Sequence, residues 1–517
     1  MMKKFRIVGI IFVVAVSEQV VSQSIYVPLD HQVYPLLFKA EAMGLFDSFS
    51  LRNLPITRTE TLTLLHTMSS ARVRLSDADA ELLDQMIGEF TDPPRGSPAA
   101  PENERHLYRY EEGNTQIFID LRGTQEVVLQ KGRADRADEQ LSQTTVWGMV
   151  RGVVGNQIAF GSSAYISMLL GSKEKEERFD VVRGPTQVLV GNSLLRDQAS
   201  GYITFLAKPL TLTLGRTHTA WGSTADEQLG LSALNEPMDQ IKFTLEFRRF
   251  RFTYLHAKLN GITTDRYLAG HRLDIDVGQG IRLGVYETVV YAGRGVELGY
   301  LNPLVPYHII EHQLGDLDNN TFGIDITGSV TDGIRAYAEI FVDDFSQDYP
   351  LGTYWGNKLA YLAGFQWARA FGVSTFELGL SYTRVDPFVY THYDSSLVYT
   401  HYDASIGSRL GPNAERYLVS ARMRPLRDLV LDASFGFVRR GKGDIFTPHQ
   451  PEDGEGKGFL SGVLETERRY AMSARYQVSR DCFVGFEGVL SARRNVGRVL
   501  GFSTDEQYFR LFLDVNY

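Results

Sequence analysis

Hydrophobic positions along this chain change period once. Over residues 25–91 they recur at helical spacing. Val33, Leu36, Leu37, Ala40 and Leu45 form one stripe of a segment running from about Leu29 to Leu45, with Gly44 near its end. Thr57 and Glu60 have capping-box spacing ahead of Leu62, Leu64, Leu65 and Met68. Ser76 and Asp79 open a third run that carries Leu82, Leu83, Met86, Ile87 and Phe90. Prolines at 93, 94 and 98 then break the pattern as a linker. From about Leu107 onward the period is two. Phe509, Leu511, Leu513, Val515 and Tyr517 alternate with Arg510, Asp514 and Asn516. Ile334, Ala336, Ala338, Ile340 and Val342 alternate with Arg335, Glu339 and Asp343, and Leu429, Leu431, Ala433, Phe435 and Phe437 with Asp432 and Ser434.

Alternation alone does not separate a soluble sandwich from a sheet facing lipid. The connections do. Turns near 278–280, 330–333, 424–428 and 479–481 are a few residues long, whereas polar stretches at 289–321, 343–357, 385–414, 439–465 and 494–505 are long. Tight turns on one side and long loops on the other characterise membrane barrels. Tyr286, Tyr291, Phe341, Tyr382, Tyr417 and Tyr470 stand at strand ends, where interfacial girdles place aromatics. Closure into a barrel leaves no backbone group unpaired in lipid. The pattern predicts a mainly β fold: a transmembrane outer-membrane β-barrel of antiparallel strands over 105–517. A small N-terminal α-helical bundle over 23–91 and a linker over 92–104 precede it. About sixteen to twenty strands fit; termini that both lie in the periplasm require an even number, and eighteen is expected. The helices are then periplasmic and the long loops extracellular.

Residues 1–22 read as a secretory signal, with Lys3, Lys4 and Arg6 ahead of the apolar stretch Ile7 to Val16, and Val20 and Ser22 at cleavage-compatible positions. The 517 residues carry a net charge of −9, which argues against a surface that neutralises phosphates, so no nucleic-acid partner is expected. With 43% hydrophobic and 22% charged residues the chain is not disordered. Past the leader no apolar run is long enough for a spanning helix. A single cysteine, Cys482, leaves no internal disulfide and reads as a small buried hydrophobe.

Three clusters carry candidate chemistry. The first is a nine-residue tandem, Tyr390-Thr391-His392-Tyr393-Asp394 followed by Tyr399-Thr400-His401-Tyr402-Asp403. Tyrosine rings stack on sugar faces and His and Asp bond hydroxyls; a loop packed on itself, or a His/Asp metal site, remains open. The second is Arg216, His218 and Trp221, in which Arg216 can grip an acidic sugar bidentately and Trp221 can stack, or Arg216 can pair with an acid inside the barrel. The third is Glu339, Asp343 and Asp344, readable as cation ligands, as an acid–base pair, or as partners of Arg335 or Arg282. No phosphate-cradling loop or nucleophile elbow occurs. No catalytic, cofactor or metal residue is assigned.

Several segments resemble the capsule assembly Wzi family. Val27-Pro28-Leu29-Asp30-His31 with Tyr34, Gly44 and Arg58 is similar to that family's opening helical region. Gly215-Arg216, Trp221-Gly222 and Leu231-Ser232 are similar to its Gly-Arg, Trp-Gly and Leu-Ser segment. Leu301-Asn302-Pro303, Asp318-Asn319, Tyr337, Glu339 and Asp343-Asp344-Phe345 match another stretch, and Asp386-Pro387, Tyr390, His392 and Gly411-Pro412-Asn413 a late loop. The resemblance implies an eighteen-stranded outer-membrane barrel with a periplasmic helical bundle. It further implies a non-enzymatic surface lectin that binds and anchors, or helps assemble, capsular or other surface polysaccharide. Expected partners are that polysaccharide and outer-membrane lipid. The competing expectation is a porin-like diffusion channel or substrate-specific pore, which shares the alternation and loop asymmetry.

Overall fold

Alternating side chains leave both edges of every strand free to pair, and here all of them do. In a computed structural model, eighteen antiparallel strands close on themselves. The structure describes residues 25–92, 106–133, 138–171, 187–191, 193–224, 226–262, 264–479 and 481–516. The expected leader, linker residues 93–104 and Tyr517 lie outside the described residues. The strands are β1 (Thr115–Lys131), β2 (Glu139–Val154), β3 (Ile158–Leu170), β4 (Ser193–Ala207), β5 (Leu210–Thr217) and β6 (Met238–Glu246). Next come β7 (Phe250–Leu259), β8 (Arg266–Gly278), β9 (Ile281–Ala292), β10 (Asn319–Thr331), β11 (Ile334–Asp344) and β12 (Lys358–Ala368). The wall is completed by β13 (Phe376–Val385), β14 (Ala414–Leu426), β15 (Leu429–Arg440), β16 (Glu465–Ser479), β17 (Cys482–Arg494) and β18 (Ser503–Asn516). Each pairs with the next, and β18 pairs with β1 from Gln507↔Lys131 to Asn516↔Arg122.

The two ends differ as the sequence pattern predicts. At one, the turn end, connections such as 279–280, 332–333 and 427–428 are tight. At the other, the loop end, the chain makes long excursions at 218–237, 293–318, 345–357, 386–413 and 441–464. Outward positions are apolar and exposed: Leu511, Leu513 and Val515 on β18, and Phe322, Ile324 and Ile326 on β10. An apolar belt around a closed cylinder is the transmembrane solution. No helix among the described residues is long and apolar enough to cross a membrane. Cys482, expected to be buried, is half-buried instead, because it starts β17 at the turn end.

Among the described residues three α-helices precede the barrel: α1 (Val33–Ala42), α2 (Arg58–Ser69) and α3 (Asp77–Thr91). α1 is shorter than its hydrophobic stripe, since Gly44 adopts φ +60° and turns the chain at the end. The Thr57–Glu60 capping box starts α2, and the Ser76 hydroxyl accepts from Asp79 N to start α3. Val33, Leu37, Leu65, Met68, Leu83, Met86 and Phe90 meet in one core.

This helical unit sits in the lumen at the turn end, held by its acids against wall arginines. Buried Glu41 is bound by Arg52 of its own unit (2.6 and 2.7 Å), by Arg282 of β9 (3.0 Å) and by Arg335 of β11 (3.2 Å). Asp92 receives Arg151 of β2 (2.8 and 3.0 Å) together with Arg58 (2.9 Å). Glu60 receives Arg251 of β7 (2.6 Å), and Asp30 receives Arg122 of β1 (2.7 Å). Burial alone would raise the Glu41, Glu60 and Asp92 carboxyls, yet the facing arginines hold all three below their ordinary values.

Replacing Glu41 by Ala leaves three arginines without their shared anion and is expected to cost about 3–5 kcal/mol at the seat of the helical unit. It should read as faster protease cleavage of residues 25–92 in the folded barrel. Because these folded-state pKa values are depressed, their contribution is complete above the unfolded carboxylate value of about 4 and is lost as pH falls below it. The seat should therefore be unchanged between neutral pH and about pH 5, with protease access rising only on further acidification.

Candidate functional site

Residues drawn from four loop-end excursions close the barrel opposite the helical unit. The 218–237 excursion runs inward from β5, and its Ala220–Trp221 pairs with Asn53–Leu54 of the helical unit as a two-residue ladder. Trp221 is fully buried, with its backbone N–H donating to Leu231 O (2.9 Å). The 386–413 excursion folds over this one. Tyr390 and Tyr399, equivalent positions of the tandem, stack at 5.7 Å and 14° and are wholly buried. Their hydroxyls donate to Leu229 O (2.7 Å) and Gly230 O (2.9 Å). Arg266 at the start of β8 donates to Ser396 O (2.5 Å) and to Val398 O. Together with Tyr286, Phe341, Leu362 and Val389, these rings make an apolar core inside the cylinder.

On this floor the 345–357 and 441–464 excursions build a row of rings. Tyr349 and Tyr354 stack at 4.0 Å and 13°, and Trp355 stacks on His449 at 3.7 Å and 4°. Phe388 stands edge-on to both Trp355 (6.1 Å) and His449 (5.1 Å). His449 Nε2 donates to Gly454 O (2.9 Å), which fixes its tautomer and leaves Nδ1 as an acceptor. Backbone bonds weld the two segments, Trp355 N to Glu455 O (3.1 Å) and Lys457 N to Thr353 O (3.0 Å). Asn413, at φ +55°, donates to Lys442 O (2.9 Å) and accepts from Leu460 N (2.6 Å), tying the ledge to the tandem segment. Tyr349, Phe345 and Phe446 remain exposed, and Lys442 with Asp453 (2.7 Å) adds charge beside the rings. Flat rings on a braced backbone, flanked by polar groups, suit the apolar faces and hydroxyl edges of sugars.

The residues singled out from sequence divide. Tyr393 and Asp394 are exposed, Tyr393 to 75%, while His392 is half-buried and its Nδ1 accepts from Asp394 N (3.1 Å). Asp344 and Asp403 are exposed, and Tyr402 is half-buried. Trp221, Tyr390 and His401, read from sequence as sugar contacts, are instead buried and brace the loops; His401 Nδ1 accepts from Asn260 N (3.1 Å). Burial lowers the His392 pKa and pushes His401 down to about 4, so both rings are neutral at pH 7. Asp343 is buried too and accepts from Tyr390 N (2.7 Å). Glu339 takes Tyr286 OH (2.6 Å), while Arg335 and Arg282, its expected partners, go to Glu41. Arg216 pairs with Asp239 (2.5 and 2.9 Å) on the outer face, away from half-buried His218, and not with an acid inside the barrel. Among the described residues no group of three His, Cys, Asp or Glu side chains is placed to hold a metal ion. Trp355 and His449 carry no local signal in sequence. They lie on different loops, and only the barrel brings them together.

A family model for the capsule assembly protein Wzi matches residues 197–490. No curated protein matches the chain. Among solved structures, one described as Wzi, an outer-membrane protein involved in group 1 capsule assembly in Escherichia coli and a carbohydrate-binding β-barrel, aligns with a TM-score of 0.62. It is 12% identical, over 94% of this chain and 98% of that one. The outer-membrane protein OprD of Pseudomonas aeruginosa aligns with a TM-score of 0.47 at 10% identity, over 78% of this chain and 93% of that one.

Tyr390→Phe removes a hydroxyl that donates to Leu229 O and accepts from Ser408 N (3.1 Å). Two buried groups lose their partner, so the variant should be about 1–3 kcal/mol less stable at the loop end. Hydrogen exchange at residues 218–237 and 386–413 should rise, with strand amides unchanged.

Proposed function

Because the chain belongs to the capsule assembly protein Wzi family, we propose that it is an outer-membrane barrel that binds and anchors, or helps assemble, surface polysaccharide, without catalysing a reaction. The observation that carries this reading is the aromatic ledge of Tyr349, Tyr354, Trp355 and His449 on interlocked loops. In this reading the loop end faces outward and the helical unit faces the periplasm. A polymer laid across the ledge stacks its pyranose faces on the rings and reaches exposed Tyr393 and Asp394 beside half-buried His392. Arg216 and Asp344 lie further along the rim. Each contact is weak, and repetition along one polymer supplies avidity.

One observation favours a second reading, a restricted pore. Between α1 and the inner faces of β11–β18 lies a cavity of about 840 Å³ with Arg422, Asp432, Arg475 and Glu487 on its walls. A cylinder filled from both ends should still conduct little.

Two measurements test the proposal. Trp355→Ala and His449→Ala each remove one face of the stacked pair, worth about 1 kcal/mol beyond buried area. Each should weaken retention of the host's surface polysaccharide on protein-loaded vesicles several-fold, with the barrel's heat stability unchanged. Full retention by the double variant would sink the ledge assignment. In planar bilayers the intact protein should give no steady large openings. Steady openings of the intact protein would favour the pore.

A further inference from the structure

The 293–318 excursion does not join the loop-end closure. It leaves β9 and lies against the outer wall of the barrel, with helix α4 (Tyr307–Leu314) packed on β9 and β10. The wall beneath it is unusual. One cross-strand row reads Val342, Phe322, Glu287, His271, Tyr254, Phe243, Leu212 and Phe205, all pointing outward. Glu287 and His271 are polar groups in a row that is otherwise apolar or aromatic and belongs to the lipid-facing belt. Left bare to hydrocarbon, they would be costly.

The excursion satisfies Glu287 and covers His271. Glu287 accepts from the backbone N–H groups of Tyr307 (2.9 Å) and His308 (2.7 Å) at the start of α4, from Asn320 Nδ2 (3.1 Å), and contacts His271 Nε2 (3.1 Å). Tyr307 lies over the His271 ring at 4.4 Å, and Tyr300 donates to Asp318 (2.7 Å), which also holds Arg294 (2.6 and 2.9 Å). Tyr254, Tyr291, Tyr300 and Tyr307 form a core of their own outside the cylinder. On the inner side of the excursion Glu287, Arg294 and Asp318 are thus paired.

What the excursion turns outward is apolar. Leu298 is 77% and Leu304 81% exposed, and Ile309 and Leu317 are at least half exposed. They continue the apolar surface of Phe322 and Ile324 on the neighbouring strand, with His308, His312, Gln313 and Asp316 as a polar edge. We propose that residues 293–318 are a membrane-seated segment: Leu298, Leu304, Ile309 and Leu317 insert among the acyl chains of the leaflet at the loop end, while α4 lies at the level of the headgroups. The occupant is membrane lipid because the patch is continuous with the belt that lipid already covers, and because short apolar stretches with a polar edge settle at this boundary.

The test uses the full chain in vesicles. In a Cys482→Ser background, Leu304→Cys is labelled with an environment-sensitive fluorophore, and Asp444→Cys, on an exposed excursion, serves as control. Leu304 is so exposed that its replacement leaves packing intact. In phosphatidylcholine vesicles the label at 304 should emit to the blue of the label at 444. It should lose emission to a spin label high on the acyl chain, and be protected from aqueous iodide. Iodide quenching at 304 equal to that at 444 overturns the proposal by placing the segment in water. Self-quenching at 304 that disappears when labelled protein is diluted with unlabelled protein overturns it in favour of a second copy of the chain on this face.

Discussion

A carboxylate shared by three guanidinium groups is the contact on which the inside of this barrel depends. Glu41 is deep in the lumen, where an unpaired charge of either sign would be prohibitive. Its three partners come from the helical unit (Arg52) and from two wall strands (Arg282 and Arg335). Each needs the anion as much as the anion needs them. Wall arginines also meet Asp92, Glu60 and Asp30, one to each, so the wall supplies cations and the unit supplies acids around much of the turn-end mouth. Hydrophobic packing holds the three helices to one another; charge decides where the package sits.

The loop end adds different physics. Buried tyrosines hold the 218–237 and 386–413 excursions down through ring stacking and hydroxyls that meet backbone carbonyls, beside buried ion pairs from Glu236 to Arg196 (2.8 Å) and from Asp386 to Lys457 (2.5 Å). That floor lets the row of rings above it stand rigid. Stacking surfaces on mobile loops would lose ordering entropy with every sugar bound; surfaces already ordered do not. In the proposed function the apolar core within the cylinder therefore serves recognition from beneath, as a buried support for the ledge.

The strand architecture was legible because period-two alternation and the contrast between turns and loops are local properties. The strands and the tight turns near 279, 332 and 427 follow from them, as the capping box at Thr57 follows from its own three-residue spacing; the strand number was bounded between about sixteen and twenty, and eighteen was chosen as an even number. The fate of individual polar residues was not. Trp221 and Tyr390 look like surface rings in sequence, and become internal struts because their loops fold inward, which no local spacing reveals. Arg335 shares the inward face of β11 with Glu339, yet it binds a glutamate about three hundred residues away. Trp355 and His449 lie on separate loops, and their parallel stack exists only once β12 through β15 are in register. Glu287 was not singled out in the sequence; only the register sets it in a row facing lipid.

The two-residue ladder between Asn53–Leu54 and Ala220–Trp221 joins the closures of opposite ends through the middle of the cylinder. It makes them mechanically one body. In the proposed function, tension applied to a polymer held at the ledge passes down the 218–237 strap, through the ladder, into the helical unit and out along its arginine contacts to the far rim. A load borne at one surface is thus shared by the full height of the wall. A spoke carried across a drum resists pulling in the same way, because the force is spread over both rims before any single strand is asked to leave the sheet.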